Sequence, residues 1–161
     1  MDGYIEIVDF ELGGEHYALD IHLVREIVEM KPITEIPRTP PYIKGIMNLR
    51  GEITTILSLN ELLSVPEKTD GDRKIIVLVP ETSQGTNVGM IVDDVHSVMH
   101  VPESDIDLSK EGYGDEVTDY LRGIIRIRRD GVGEEDEQTS LILWLDMKRL
   151  LENFFADAAR A

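Results

Sequence analysis

Tyr17-Ala-Leu-Asp-Ile-His-Leu-Val24-Arg-Glu-Ile27-Val28 and, further along, Val88-Gly-Met-Ile-Val-Asp-Asp-Val95-His-Ser-Val98-Met99 are the stretches whose reading decides the fold. They superpose at an offset of 71 (88 − 17), and the apolar anchors coincide: Leu19 with Met90, Ile21 with Val92, Val24 with Val95, Ile27 with Val98. Tyr42-Ile-Lys-Gly45-Ile46 then matches Tyr120-Leu-Arg-Gly123-Ile124 at an offset of 78 (120 − 42), and Leu62-Leu63 matches Leu150-Leu151 at 88 (150 − 62). The offset only grows, so each step needs extra loop residues in the second half, where insertions are tolerated best. Three matches in one order identify a tandem duplication. The expected units are a first lobe over 1–64, a linker over 65–72, a second lobe over 73–152, and a C-terminal helix and tail over 146–161.

Each half reads mostly as strands. Val8, Phe10 and Leu12 alternate with Asp9 and Glu11, and Gly13-Gly14 marks a hairpin into Tyr17–Ile21. Arg50-Gly51-Glu52 is a second turn, between Gly45–Leu49 and Ile53–Ser58. Ile75–Val79 and Leu141–Leu145 are continuously apolar, as strands buried on both faces are. Four prolines, at 32, 37, 40 and 41, forbid a long helix between Met30 and Ile43. Only Asp146–Ala159 has a clear helical stripe, with Leu150, Leu151, Phe154, Phe155 and Ala158 on one face. About five short strands in some 60–70 residues, with no helix to cover a sheet, bury a core by closing on themselves. The fold expected is therefore all-β, with two tandem five-stranded β-barrel lobes and a groove between them.

Composition excludes several functions. There is no cysteine, hence no disulfide, thiolate metal site or cysteine nucleophile. The formal charge of −16 opposes binding to nucleic acid, whose affinity comes largely from cations set against phosphates, and to an anionic membrane surface. No apolar run approaches the ~20 residues that cross a bilayer, and Asp2, Glu6, Asp9 and Glu11 stand where a signal peptide would be apolar. A cytoplasmic protein without direct membrane insertion is expected.

An ordered set of motifs carries a family resemblance. Tyr17-Ala-Leu-Asp-Ile, Val24-Arg-Glu26-Ile27, Ile33-Thr34-Glu-Ile36-Pro37-x-x-Pro40 and Gly45-Ile-Met-Asn48-Leu49-Arg50-Gly51 closely resemble the CheW coupling proteins of chemotaxis. Val88-Gly89-Met-Ile-Val92-Asp93-x-Val95-x-x-Val98 is similar to the family's second signature, and Leu145-Asp146-Met-Lys-Arg-Leu150-Leu151 to its closing strand and helix. Where the family usually has a proline and then an aspartate after the Asn-Leu-Arg-Gly turn, this chain has Thr55 and Ser58.

The resemblance implies two SH3-like barrels and a non-catalytic scaffold needing no cofactor and no metal. It would be a monomer when free, and would bridge the cytoplasmic hairpin tips of methyl-accepting chemoreceptors to the histidine kinase CheA in membrane-associated receptor arrays. By the same resemblance the receptor-binding groove comprises Ile21, Val24, Glu26, Ile27 and Arg50, with Val95 and Val98 facing them from the second lobe. Glu26 and Arg50 could pair. Ile33, Thr34, Ile36 and Pro37 fall where the kinase would dock.

One cluster has an enzyme-like look. In Asp93-Asp94-x-His96-x-x-x-His100, strand periodicity would put both imidazoles on one face, and imidazole with carboxylate suits zinc or iron. The repeat sets Arg25 against His96 and Glu29 against His100, both surface-type residues, so exposed histidines are the expectation. No Gly-x-Ser-x-Gly, phosphate-binding glycine loop or His-Glu-x-x-His occurs.

Overall fold

Two glycine-containing turns set the local architecture. At Gly13-Gly14 φ is +57° and +85°, and at Arg50-Gly51 +54° and +86°, the left-handed pairs that let two-residue loops follow the twist of antiparallel strands. The computed structural model describes residues 3–67, 71–83, 85–108, 119–128 and 139–152. Its strands are β1 (Tyr4–Leu12), β2 (Glu15–Asp20), β3 (Val24–Glu29), β4 (Ile43–Leu49), β5 (Glu52–Ser58) and β6 (Lys74–Leu78), followed by β7 (Val88–Val92), β8 (Asp94–Pro102), β9 (Ile106–Asp107), β10 (Leu121–Arg128) and β11 (Thr139–Leu145). A five-residue helix, α1 (Leu59–Leu63), follows β5. The departure at Ser58 has a structural role there, since its Oγ accepts the Glu61 N–H at 3.2 Å and caps α1. The expected C-terminal helix is present over residues 147–152; Phe154, Phe155 and Ala158 lie outside the described residues, as does 131–138 of the acidic loop.

The strands form a six-stranded sheet, ordered β8-β1-β2-β11-β10-β9, and a five-stranded sheet, ordered β3-β6-β7-β5-β4. The duplication is visible in the registers. Gly45 pairs with Ile56 and Gly123 with Trp144, so both partners shift by the sequence offsets, 78 (123 − 45) and 88 (144 − 56). Thr55 lies beside Val88 and Leu143 beside Tyr17 in the two parallel pairings, again by 88 (143 − 55) and 71 (88 − 17). A bulge falls after Val24 in β3, and its counterpart in β8 follows Val95.

Neither sheet coincides with the expected lobes over 1–64 and 73–152. β1 and β2 from the first half join β8–β11 from the second, while β3–β5 join β6 and β7. The repeats have exchanged their first two strands. Each sheet keeps the strand order of the other, so hydrogen bonding and burial are served equally well whichever copy supplies a strand.

The barrels are also corrected. Among the described residues no ladder closes either sheet; both are rolled, with their edges brought close. In the six-stranded sheet, edge strands β8 and β9 are joined by Glu103–Asp105 alone. A flat sheet of six strands would separate its edges by about 24 Å, more than the roughly 15 Å that four Cα steps can span. In the five-stranded sheet, side chains of edge strand β3 reach the β4–β5 turn, Arg25 Nη1 lying 3.1 Å from Glu52 Oε2 and Glu26 Oε1 3.2 Å from Arg50 Nη2. Thr34, beyond the end of β3, makes an isolated backbone bridge to Ile46 of β4. The bulges in β3 and β8 bend these edge strands, which breaks up the straight run of backbone groups that a closing ladder would need.

Three apolar clusters result. Ile7, Ala18, Val101, Ile125, Ile142 and Trp144 fill the roll of the six-stranded sheet; Met47, Leu49, Ile56, Ile75, Val77 and Ile91 fill the other. The largest cluster lies between the sheets, with Phe10, Leu12 and Leu19 from one against Leu57, Ile76 and Met90 from the other. At its margin sits Asp93, wholly buried. Its Oδ2 accepts the Gly13 N–H at 2.7 Å, and its Oδ1 lies 3.3 Å from Arg73 Nε. Arg73 in turn donates to Asn60 Oδ1 at 2.7 Å, and Asn60 donates to the Pro66 carbonyl at 3.0 Å. Position 13 favours glycine, because its φ is +57° and a Cβ would lie 2.5 Å from Val65 Cγ1 and 3.1 Å from the Pro66 carbonyl oxygen.

Removing one partner of a buried ion pair strands the other. Asp93→Ala is therefore expected to lower stability by about 3–5 kcal/mol, measured by urea unfolding with an unchanged denaturant slope. A loss within about 1 kcal/mol would show that Arg73 and Gly13 find other partners.

Candidate functional site

The sheet edges carry the residues singled out by the resemblance. β3 borders the five-stranded sheet and β8 the six-stranded one, so Val24 and Ile27 lie on one sheet and Val95 and Val98 on the other. Val24 and Val95 are half-buried and pack against the cluster between the sheets. Ile27 and Val98, equivalent in the repeat, are 42% and 54% exposed. Ile21 is half-buried in the short turn between β2 and β3.

Glu26 and Arg50 do pair, at 3.2 Å. Glu26 is mostly covered, with 19% of its side chain exposed, whereas Arg50 is 76% exposed and keeps donors free to face outward. Arg25, the bulged residue of β3, and Glu52 extend this into a four-residue charge network. The Asn48 side chain supports the turn by accepting the Gly51 N–H at 2.9 Å.

The segment 33–37 is anchored by backbone. Thr34 N–H donates to the Ile46 carbonyl at 2.9 Å, and Ile46 N–H to the Thr34 carbonyl at 2.8 Å. Gly45, at φ +143°, makes room, since a Cβ there would run into the Thr34 carbonyl. Ile33 turns inward onto the five-stranded sheet's own cluster, leaving Thr34, Ile36 and Pro37 exposed. Sequence reading missed Met30 and Ile53, exposed at 39% and 60%. The signal for Ile53 was available: on β5 it alternates with the inward Thr54 and Ile56.

Two clefts lie elsewhere. One of about 450 Å³, at the seam of the sheets, is lined by Asp20, His22, Leu23, Glu81, Met147 and Leu151 among others. Another of about 420 Å³ opens beside Ile5, Ile106, Arg122 and Trp144. None of the groove residues lines either. Polar groups at the clefts already serve structure: Asp20 accepts from Trp144 Nε1 at 2.6 Å and Arg122 Nη1 at 2.9 Å, with the guanidinium 4.4 Å above the indole. Burial, and then the charge of Glu15, hold the Tyr17 phenol above its ordinary pKa, but that ring belongs to the cluster between the sheets.

The Asp93–His100 residues do not form one cluster, and His96 and His100 are both exposed, as the repeat implied. Asp93 is the buried tie between the sheets. The bulge in β8 breaks the alternation between His96 and His100, whose nearest carboxylates, Glu11 and Glu6, lie on opposite faces of β1.

Residues 6–155 match the family model described as the CheW-like domain. The chain is 29% identical over 154 residues to the chemotaxis protein CheW of Treponema pallidum, covering 94% of this chain and 85% of that one. It is 31% identical over 148 residues to that of Klebsiella aerogenes, covering 92% and 82%. The solved structure of the scaffolding protein TtCheW from Thermoanaerobacter tengcongensis superposes with a TM-score of 0.75 at 32% identity, covering 93% and 94% of the two chains.

An arginine at φ +54° carries backbone strain that glycine would not, while its exposed ion pair contributes at most about 1 kcal/mol. Arg50→Gly is thus expected to leave the melting free energy within about 1 kcal/mol of the parent, or above it. A loss beyond about 2 kcal/mol would make Arg50 a structural residue.

Proposed function

The chain belongs to the CheW-like family, and we propose that it is a non-catalytic coupling protein of chemotaxis, linking chemoreceptor tips to the histidine kinase CheA. The observation that carries this reading is the pair of repeat-equivalent apolar side chains, Ile27 and Val98, left exposed on bulged sheet edges within a family of scaffolds. Edges are normally blunted by charge, and apolar groups left on them favour a partner that covers them.

The receptor contact is assigned to β3 and β8. Ile27 and Val98 supply the apolar contact for a helical hairpin tip, and Ile21, Val24 and Val95 support them from the core side. Arg50, oriented by Glu26, offers a planar fork of donors at the rim, suited to a carboxylate or a helix C-terminus. The kinase contact is assigned to the 33–37 segment, where Ile36 and Pro37 face outward while Ile33 and Thr34 hold the backbone in place. Neither contact asks the protein for chemistry, in keeping with the structural engagement of Asp20 and Asp93. Among the described residues no helix is long and apolar enough to cross a membrane, so membrane arrays would be reached through the receptors.

Placing a carboxylate in an apolar contact typically costs about 2 kcal/mol, or roughly 30-fold in affinity. Calorimetric titration with a soluble receptor cytoplasmic fragment should show that loss for Ile27→Glu, with circular dichroism and melting temperature unchanged. Ile36→Glu should instead weaken binding of the CheA regulatory module. Undiminished binding in both variants would refute the assignment of these surfaces.

A further inference from the structure

We infer that Glu11, His16 and His96 form a binding site for a first-row divalent cation, best suited to zinc, at the rim of the six-stranded sheet's interior. The three residues lie on adjacent strands, β1, β2 and β8, and Glu11 pairs directly with His16 across the hairpin. Their candidate ligand atoms all fall within 4.8 Å of one another. His96 Nε2 and Glu11 Oε1 are already 3.3 Å apart, about the separation of two ligands on a tetrahedral ion with bonds near 2.0–2.1 Å. The two imidazoles lie face to face, with centroids 4.9 Å apart and planes 28° from parallel.

Asp9 supplies the orientation that such a site needs. Its side chain is 10% exposed, and Oδ1 lies 2.8 Å from His16 Nδ1. A carboxylate only accepts, so Nδ1–H is the donor and the lone pair of Nε2 is left free for a metal. This carboxylate–histidine arrangement is the one that commonly stands behind a ligating imidazole. Two imidazoles, one carboxylate and a water would complete four-coordination, the ligand set of an open zinc site.

The bulge in β8 is what delivers His96, by inserting it between residues paired to Asp9 and Phe10. Aligned by strand register, in which Ile7 faces Asp20 as Ile75 faces Ile91, the equivalent places in the other sheet hold Arg25, Val79 and Asn87, so the ligand set is not a by-product of the repeat. A bound ion would tie β8, the edge strand that carries Val98, to the β1–β2 hairpin.

The test is calorimetric titration of the untagged 161-residue chain with zinc alone, after dialysis against a chelator. One equivalent is expected to bind with a dissociation constant below about 100 µM. His16→Ala and His96→Ala should each weaken it at least ~10-fold, and Asp9→Asn by ~10–100-fold with the metal-free melting temperature held. His100→Ala should change nothing. Absence of stoichiometric binding, or binding that survives His96→Ala, an exposed and fold-neutral change, would overturn the proposal.

Discussion

The Asp93 carboxylate is buried where the two halves of the chain cross, and the rest of the structure depends on its being paired. Its Oδ2 accepts the Gly13 N–H from the hairpin of one sheet, and its Oδ1 faces the Arg73 guanidinium entering the other as an ion pair at 3.3 Å without a hydrogen bond. An isolated charge at this depth would cost several kcal/mol, so the node tolerates few other arrangements of the β1–β2 turn, α1 and the start of β6. Asn60 and Glu67 bind the far side of Arg73 and bring the start of the linker into the same network. The apolar cluster between the sheets supplies most of the driving force, and the node fixes the register in which the sheets meet.

Strand exchange has a mechanical consequence. The chain passes between sheets after β2 and after β7, so rotation of one sheet against the other would pull on two covalent crossings as well as on the cluster they enclose. A coupling protein benefits from such stiffness. The docking surfaces proposed on β3, β8 and the 33–37 segment would hold fixed distances from one another, and binding would lose little conformational entropy in the scaffold itself. Rolled sheets without a closing ladder also leave bulged edges available, where a ladder-closed barrel would have used them up.

Much of this was legible in the residues. The offsets of 71, 78 and 88 reappear in the strand registers, both tight turns are where their glycines implied, and the Glu26–Arg50 pair forms. The exchange was not legible, because alike repeats present the same alternation and the same partners whichever copy donates β1 and β2. α1 was missed because five residues give barely one turn of periodicity. Asp9, assigned outward by alternation, is 7% exposed and satisfied by His16, a pairing set across a hairpin and hidden from pattern reading. His96 likewise depended on a bulge that a single sequence does not announce. The roll of the sheets, held by the short Glu103–Asp105 link in one and by the charge network and the Thr34–Ile46 bridge in the other, followed from three-dimensional proximity of edges far apart in strand order.

The central claim is that each half of the chain is incomplete without strands from the other. Residues 1–67 and 71–161 prepared separately, followed by circular dichroism and urea titration, test it most directly. The account predicts no cooperative unfolding transition for 1–67 alone, because β1 and β2 would lack β8 and β11, and a transition that appears on equimolar mixing with 71–161. A cooperative transition in 1–67 by itself would mean that the halves fold as separate lobes and would contradict the exchanged structure.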